Sequence, residues 1–149
     1  MYQSKHQVQS YIFVGVQFIC LGLLVVTGPW LASIPGLVLL EMSGVVLGLW
    51  AVLTMKLRHL SAFPEIKASS SLQSRGPYRW IRHPMYLALL MVTLAIVWEE
   101  FSYVRGGVWM VLFIDLMLKL QYEERLLEKT FPDFQDYQTR TFKLLPWIW

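Results

Sequence analysis

Four apolar runs divide this chain. Val8 to Val26 and Leu37 to Met55 each approach the ~20 residues that carry a helix across ~30 Å of hydrocarbon. Pro84 to Trp98 and Gly107 to Leu120 are shorter, and they flank a brief polar break from Glu99 to Arg105. The pattern predicts two full spans and then a helical hairpin of two short or tilted spans. The expected fold is an all-α integral membrane bundle of about four transmembrane helices. It forms one domain over 1–149, with a cytoplasmic loop at 56–83 and a C-terminal cytoplasmic cap at 121–149.

Composition agrees with the pattern. Only 15% of the 149 residues are charged, against about a quarter in a soluble domain. The charges also orient the chain, because basic residues in short loops mark the cytoplasmic side. Lys56, Arg58, Lys67, Arg75, Arg79 and Arg82 lie between runs two and three, and Lys119, Arg125, Lys129, Arg140 and Lys143 lie at or after the end of run four. Thr27 to Gly36 has no Lys or Arg, and Glu99 to Gly106 has only Arg105. With Lys5 ahead of the first run, both termini are expected on the cytoplasmic side. The first run is too long for a signal-peptide core of ~7–15 residues and lacks a clear small-residue cleavage site, so it reads as an uncleaved span. The basic pI implies contact with anionic headgroups at the inner membrane face, with no nucleic acid as partner. Cys20 is the only cysteine, so no intramolecular disulfide exists, and it is expected to pack as a small apolar side chain.

Several local features predict packing. Gly44-Val-Val-Leu-Gly48 lets helix backbones approach closely, and the first span is its expected partner. The same face could instead join two chains, which leaves the oligomeric state open. Glu41 is expected at the outer interface. Pro64, Ser69-Ser70-Ser71 and Gly76-Pro77 mark a loop, and Leu60, Phe63, Ile66 and Leu72 suit it to the membrane surface. Phe134, Tyr137, Phe142, Trp147 and Trp149 give the tail aromatic anchors at headgroup level.

The candidate chemistry sits where runs three and four meet water. Pro84 suits the first turn of a helix, which makes His83 its cap and leaves free N–H groups beside Arg82 and His83. Such an end is either an anion site or a basic anchor snorkelling to headgroups. In run four, Asp115, Lys119 and Glu123 follow at four-residue steps and share a helix face. An acid inside an apolar run is a functional candidate by default, although an intrahelical Asp115–Lys119 pair is the simpler reading. Glu124 and Glu128 are like charges four apart, as are Arg125 and Lys129, an arrangement that surface salt bridges do not favour. A hairpin brings Glu123 and Glu124 back beside Arg82 and His83. The expected site is therefore bipolar and suits a ligand carrying both a carboxylate and an ammonium or sulfonium.

Gly76-Pro-Tyr-Arg-x-x-Arg-His-Pro-Met-Tyr86, then Glu123-Glu124-x-x-Leu127, Phe131, Tyr137-x-x-Arg140 and Pro146 resemble the isoprenylcysteine carboxyl methyltransferase and phospholipid methyltransferase group of integral membrane enzymes. The resemblance covers Leu72 to Pro146, and the first two runs add only membrane character. It implies S-adenosylmethionine as methyl donor, S-adenosylhomocysteine as product, and a lipidic or membrane-embedded acceptor entering from the bilayer. By the same resemblance His83 and Tyr86 contact the cofactor, Arg82 supports its carboxylate end, and Glu123 or Glu124 holds its amino group or ribose hydroxyls. Tyr137 and Arg140 would close the pocket, with Arg140 orienting the acceptor and Glu123 or Glu124 the candidate base. No metal is implied. Ala88 stands where glycine is common in such motifs, and Phe134 where tyrosine is common.

Methyl transfer would then rest on alignment and desolvation of donor and acceptor. A carboxylate acceptor needs no base, whereas an amine must first lose a proton. The residues alone leave both open. No glycine-rich strand–turn–helix fingerprint is present, which argues against a soluble Rossmann-type enzyme. Two alternatives stand beside this reading: a sterol-reductase-like enzyme using a nicotinamide cofactor, and a non-enzymatic lipid-binding scaffold.

Overall fold

The computed structural model describes residues 2–55 and 74–145, with side chains from Val8 onward. Helix α1 spans Tyr2–Thr27, α2 Pro35–Met55, α3 Pro84–Glu99, α4 Tyr103–Thr130 and α5 Phe134–Arg140, with a 3-10 turn at Gly76–Arg79 before α3. The described residues are all-α, apart from one isolated bridge between Ile81 and Phe142. The expected surface-lying loop through Leu60, Phe63 and Ile66, and the tail anchors Trp147 and Trp149, fall outside the described residues.

Val8–Thr27 and Pro35–Met55 are long and apolar enough to cross a membrane, and Pro84–Glu99 is a shorter apolar helix. Their outward faces are those of lipid-solvated helices. Ile12, Phe18, Ile19, Leu23 and Val26 on α1 and Leu39, Val46, Leu49 and Leu53 on α2 are exposed. On α4 the exposed side chains Met110, Val111, Ile114 and Leu118 form one stripe, and the buried Leu112, Leu116 and Leu120 form the opposite one. Large apolar surface open on several sides has no stable place in water, but it is the ordinary condition of helices in hydrocarbon.

Inside the bundle α1 packs on α4 and α2 packs on α3, while α3 and α4 form the hairpin between them. Ser10, Val14, Cys20 and Leu24 face inward along α1 at helical spacing. Cys20 and Leu24 join Leu90 and Val97 of α3 and Leu112, Leu116, Met117 and Leu120 of α4 in one apolar core. Cys20 is thus a core residue, as its size and polarity suggest.

The small residues of α2 have a different partner from the one expected. Gly44 and Gly48 face α3, where a Cβ on Gly44 would lie 2.9 Å from Val92 and 3.0 Å from both Met91 and the Ala88 carbonyl. Small-xxx-small spacing specifies a close approach without naming the opposing helix, and here that helix is the third.

Polar links close the end of the bundle away from the α3 start. Glu41 is buried within the protein and accepts from the Ala32 amide at 2.9 Å. Glu99 accepts from the Ser33 hydroxyl and from the Ile34 amide at 3.2 Å. The guanidinium of Arg105 is buried against Gly28 and donates to the carbonyls of Ile96, at 2.7 Å, and Glu100. These carbonyls end α3, so Arg105 fills the role of a cationic C-cap. Ser102 caps α4 by accepting from the Arg105 amide at 3.2 Å.

Because the α2–α3 seam has no room at Gly44, Gly44→Val should cost about 1–3 kcal/mol through overpacking. Gly48→Ala, whose Cβ would meet only Ala88 Cβ at 3.3 Å, should cost clearly less. Thermal unfolding of the purified variants in detergent measures the difference, and equal stabilities would contradict the seam.

Candidate functional site

Three chain segments converge at the start of α3. The first is the turn before it. Gly76 adopts φ +59°, in the left-handed region, with the Thr54 side chain where a Cβ would point. That combination requires glycine. Pro84 then begins α3 in its first turn with His83 at the cap position, although the His83 side chain makes no capping hydrogen bond. The second segment is the last third of α4, which carries Glu123 and Glu124. The third is the tail after α5, which runs alongside Trp80 to His83. The Arg82 amide donates to the Phe142 carbonyl at 2.8 Å, the Phe142 amide to Trp80 at 2.8 Å, and the His83 amide to Lys143 at 3.2 Å.

Arg82 ties the three together. Its Nε donates to Glu124 Oε1 at 2.6 Å. Its Nη1 donates to the Gln138 carbonyl at 3.1 Å, the Thr141 hydroxyl at 3.1 Å and the Thr141 carbonyl. The pair is nearly dry, with side chains 8% and 9% exposed. Lys143 Nζ adds a second cation 3.8 Å from Glu124 Oε2. Burial pushes the Glu124 carboxyl up, but the neighbouring His83 and Arg82 outweigh it and hold it below the ordinary carboxylate value. The cationic and anionic lobes therefore meet directly. A ligand binding between Arg82 and Glu124 would have to part this pair.

The other half of the cluster is less occupied. The Tyr86 hydroxyl donates to Glu123 Oε1 at 2.6 Å. The His83 ring stacks on Tyr86 with centroids 5.5 Å apart and planes within 5°. His83 Nδ1 lies 3.6 Å from Glu123 Oε2, and Nε2 lies 3.6 Å from Glu124 Oε1. His83 Nε2 is buried and makes no hydrogen bond. Glu123 is the more open carboxylate, at 21% exposure.

Tyr137 is half-buried in the cap, and its hydroxyl donates to the Tyr78 carbonyl at 2.6 Å. Burial pushes both phenols up to about 12, with each ring's ionised neighbours adding to or opposing the shift. Arg140 is the last residue of α5 and is exposed; it is not brought into the cluster. The two departures from the family motif lie away from the cluster. Ala88 packs against Gly44 and Gly48 of α2, and Phe134 is a fully buried anchor of the cap, packed against Tyr137.

Sequence reasoning overlooked Thr141 and Lys143 as site residues. Both act from irregular backbone, where no periodicity points to a partner. It also overlooked Gln17. Lys119 donates to Gln17 Oε1 at 2.9 Å and lies 5.4 Å above the Tyr86 ring centroid. The expected Asp115–Lys119 pair does not account for these contacts, and Asp115 Oδ2 has no hydrogen-bond partner. An amide midway along the apolar run of α1 was the available signal.

Lipid-facing helices gathered around a half-open acidic and aromatic cluster define a helical membrane protein with an enzyme-like site. The family model for phospholipid methyltransferases matches residues 10–133, and the chain belongs to that family. The match takes in α1 and α2, which the motif resemblance had left as general membrane character, and ends before Tyr137 and Arg140. No curated protein and no solved structure gives a significant match. Family membership supports methyltransferase activity at a membrane, with a lipid as substrate class.

Removing one partner of a buried ion pair costs about 3–5 kcal/mol because the other charge is left unpaired. Arg82→Met should therefore destabilise strongly and release the tail, seen as lost hydrogen-exchange protection at the Phe142 and His83 amides. Acid should do the same to the native chain. Glu124 titrates below the ordinary 4.5, so its contribution is complete above that pH and is lost as pH falls through the lowered value. Protection that persists in Arg82→Met would show that the tail is held by other contacts.

Proposed function

We propose that this chain crosses the membrane four times, with both termini cytoplasmic, and transfers a methyl group from S-adenosylmethionine to the amine of a lipidic acceptor at the cytoplasmic face. The observation that carries this reading is the Glu123–Tyr86–His83 cluster at the mouth of the α3–α4 hairpin, in a chain of this family.

The residues present fit the cofactor in kind. His83 Nε2 is buried without a hydrogen bond, with Glu124 Oε1 3.6 Å away, so it can take a polar group of the ligand, and the half-open Glu123 carboxylate suits an ammonium or ribose hydroxyls. Tyr86 stacks on His83 and fixes one Glu123 oxygen. Arg82 is engaged by Glu124 and the tail, so its role is to hold Glu124 and the cap in place. When bound, S-adenosylmethionine supplies an electrophilic sulfonium methyl group. The chain's part is to orient both reactants and exclude water. With Glu124 paired to Arg82 and Lys143, Glu123 is the carboxylate left to face a ligand, which favours an amine acceptor over an acid. Glu123, within the cluster and open to one side, takes the proton that the amine must lose before attack. Arg140, exposed at the end of α5, suits the phosphate of a lipid headgroup.

Calorimetry on the purified chain in detergent should show binding of S-adenosylhomocysteine and none of NADPH. His83→Ala should weaken that binding about tenfold, in keeping with loss of one hydrogen-bonded contact, and Glu124→Ala should weaken it by leaving Arg82 unpaired and loosening the cap, while Cys20→Ala leaves it unchanged. Absence of binding to the wild-type chain would overturn the reading. Membranes incubated with radiolabelled methyl donor should yield base-stable lipid label; base-labile label would instead mark a carboxylate acceptor.

A further inference from the structure

Polar contacts run from the first helix to the candidate site, although Gln17 and Lys119 lie within the apolar bundle. Gln17 sits midway along α1 and accepts from Lys119 Nζ at 2.9 Å. Lys119 is 1% exposed and lies 5.4 Å above the Tyr86 ring. Tyr86 in turn donates to Glu123 Oε1 at 2.6 Å, and Glu123 Oε2 faces His83 Nδ1 at 3.6 Å. Each contact joins a different pair of elements or turns: α1 to α4, α4 to α3, and α3 back to α4 one turn further on.

A buried ammonium in this position is costly unless it is hydrogen-bonded and faces compensating charge. Gln17 supplies an amide oxygen, the Tyr86 π-face an electrostatic partner, and Glu123 a carboxylate one helical turn away. The arrangement immobilises Tyr86 from above while its hydroxyl is fixed by Glu123. A tyrosine pinned at both ring and hydroxyl holds the carboxylate it touches in one orientation. We propose that Gln17 and Lys119 are positioning residues, and that through Tyr86 they fix the Glu123 carboxylate that the proposed function assigns to the reacting amine. Helix α1 is then part of the site's support and not only a membrane anchor. The use of this strut in turnover rests on the methyltransferase reading, whereas its existence does not.

The test compares Gln17→Leu, Lys119→Met, Lys119→Arg, Tyr86→Phe and the double variant Lys119→Met/Tyr86→Phe in lipid nanodiscs. Turnover is followed with S-adenosylmethionine and vesicles containing an aminophospholipid, and thermal unfolding is followed without cofactor. Gln17→Leu and Lys119→Met should each lower kcat about tenfold, as expected for misplacement of a reacting group, with KM for the donor little changed. Lys119→Arg should recover most of that loss. The double variant should be no slower than Tyr86→Phe alone, because residues acting in series are not additive. Multiplicative losses in the double variant, or unfolding temperatures that fall while kcat stays at the wild-type value, would overturn the proposal. A wild-type chain with no methyl transfer overturns the functional reading instead. The strut is then judged by ligand-free unfolding, where non-additive effects of Lys119→Met and Tyr86→Phe support it and additive effects exclude it.

Discussion

One buried guanidinium organises the polar end of this molecule. Arg82 stands where α3 begins, and it reaches a carboxylate on α4 and the backbone carbonyls of Gln138 in α5 and Thr141 after it. These segments are 42 to 59 residues apart along the chain. A fixed planar fork with several donors can serve them together, which an ammonium on a flexible stem cannot. The net stability from such a pair is small, because desolvation offsets most of the Coulomb attraction. Its value lies in allowing few alternatives. Any arrangement that separates the three segments leaves a dry charge without a partner.

The apolar bundle and the polar end answer different demands. Between lipid-facing helices no hydrophobic force selects one partner over another, since hydrocarbon solvates leucine as well as a neighbouring helix does. Selection falls to close packing, as at Gly44 and Gly48 on α3, and to polar links, as at Trp109 Nε1 donating to Thr93 Oγ1 at 3.1 Å. The far end is closed by Arg105, Glu41 and Glu99 binding backbone groups of helix ends and the α1–α2 loop. The open polar cluster, with Glu123 half-open, lies at the opposite end.

Much of this was legible in the order of residues, and the limits have physical causes. The two long apolar runs, the helix start at Pro84 and the return of Glu123 and Glu124 to Arg82 and His83 follow from period, proline chemistry and hairpin geometry. Spacing along the chain says which groups share an end of the bundle, but it carries no distances. Hence Arg82 and Glu124 read as two sides of a pocket when they are in contact. The Gly44/Gly48 pattern announced a seam without its partner, because close approach is a property of one helix face and pairing is a property of two. Gln17 was visible as an amide among apolar residues, yet its meaning depends on α1 lying beside α4. The tail's pairing with Trp80 to His83 is backbone hydrogen bonding by irregular segments, and side-chain pattern does not encode it.

The polarity of α4 links these observations to chemistry. One face of this helix changes along its length from Leu112 and Leu116 in the core, through Asp115 and Lys119, to Glu123 and Glu124 at the mouth. In the proposed reaction an acceptor amine reaching the mouth from the bilayer meets carboxylates in a medium that solvates ions poorly. Attraction to those carboxylates favours the ammonium form, which cannot attack, so binding and reactivity make opposing demands on the same groups. The arrangement separates them. Glu124 is committed to Arg82 and held in its charged form, and it contributes field without taking a proton. Glu123 has one oxygen fixed by Tyr86 and the other facing His83, and it remains the carboxylate able to accept one. Two adjacent acids on one helix turn are thereby given different duties by what touches each of them, in keeping with environment rather than residue type setting acid–base roles.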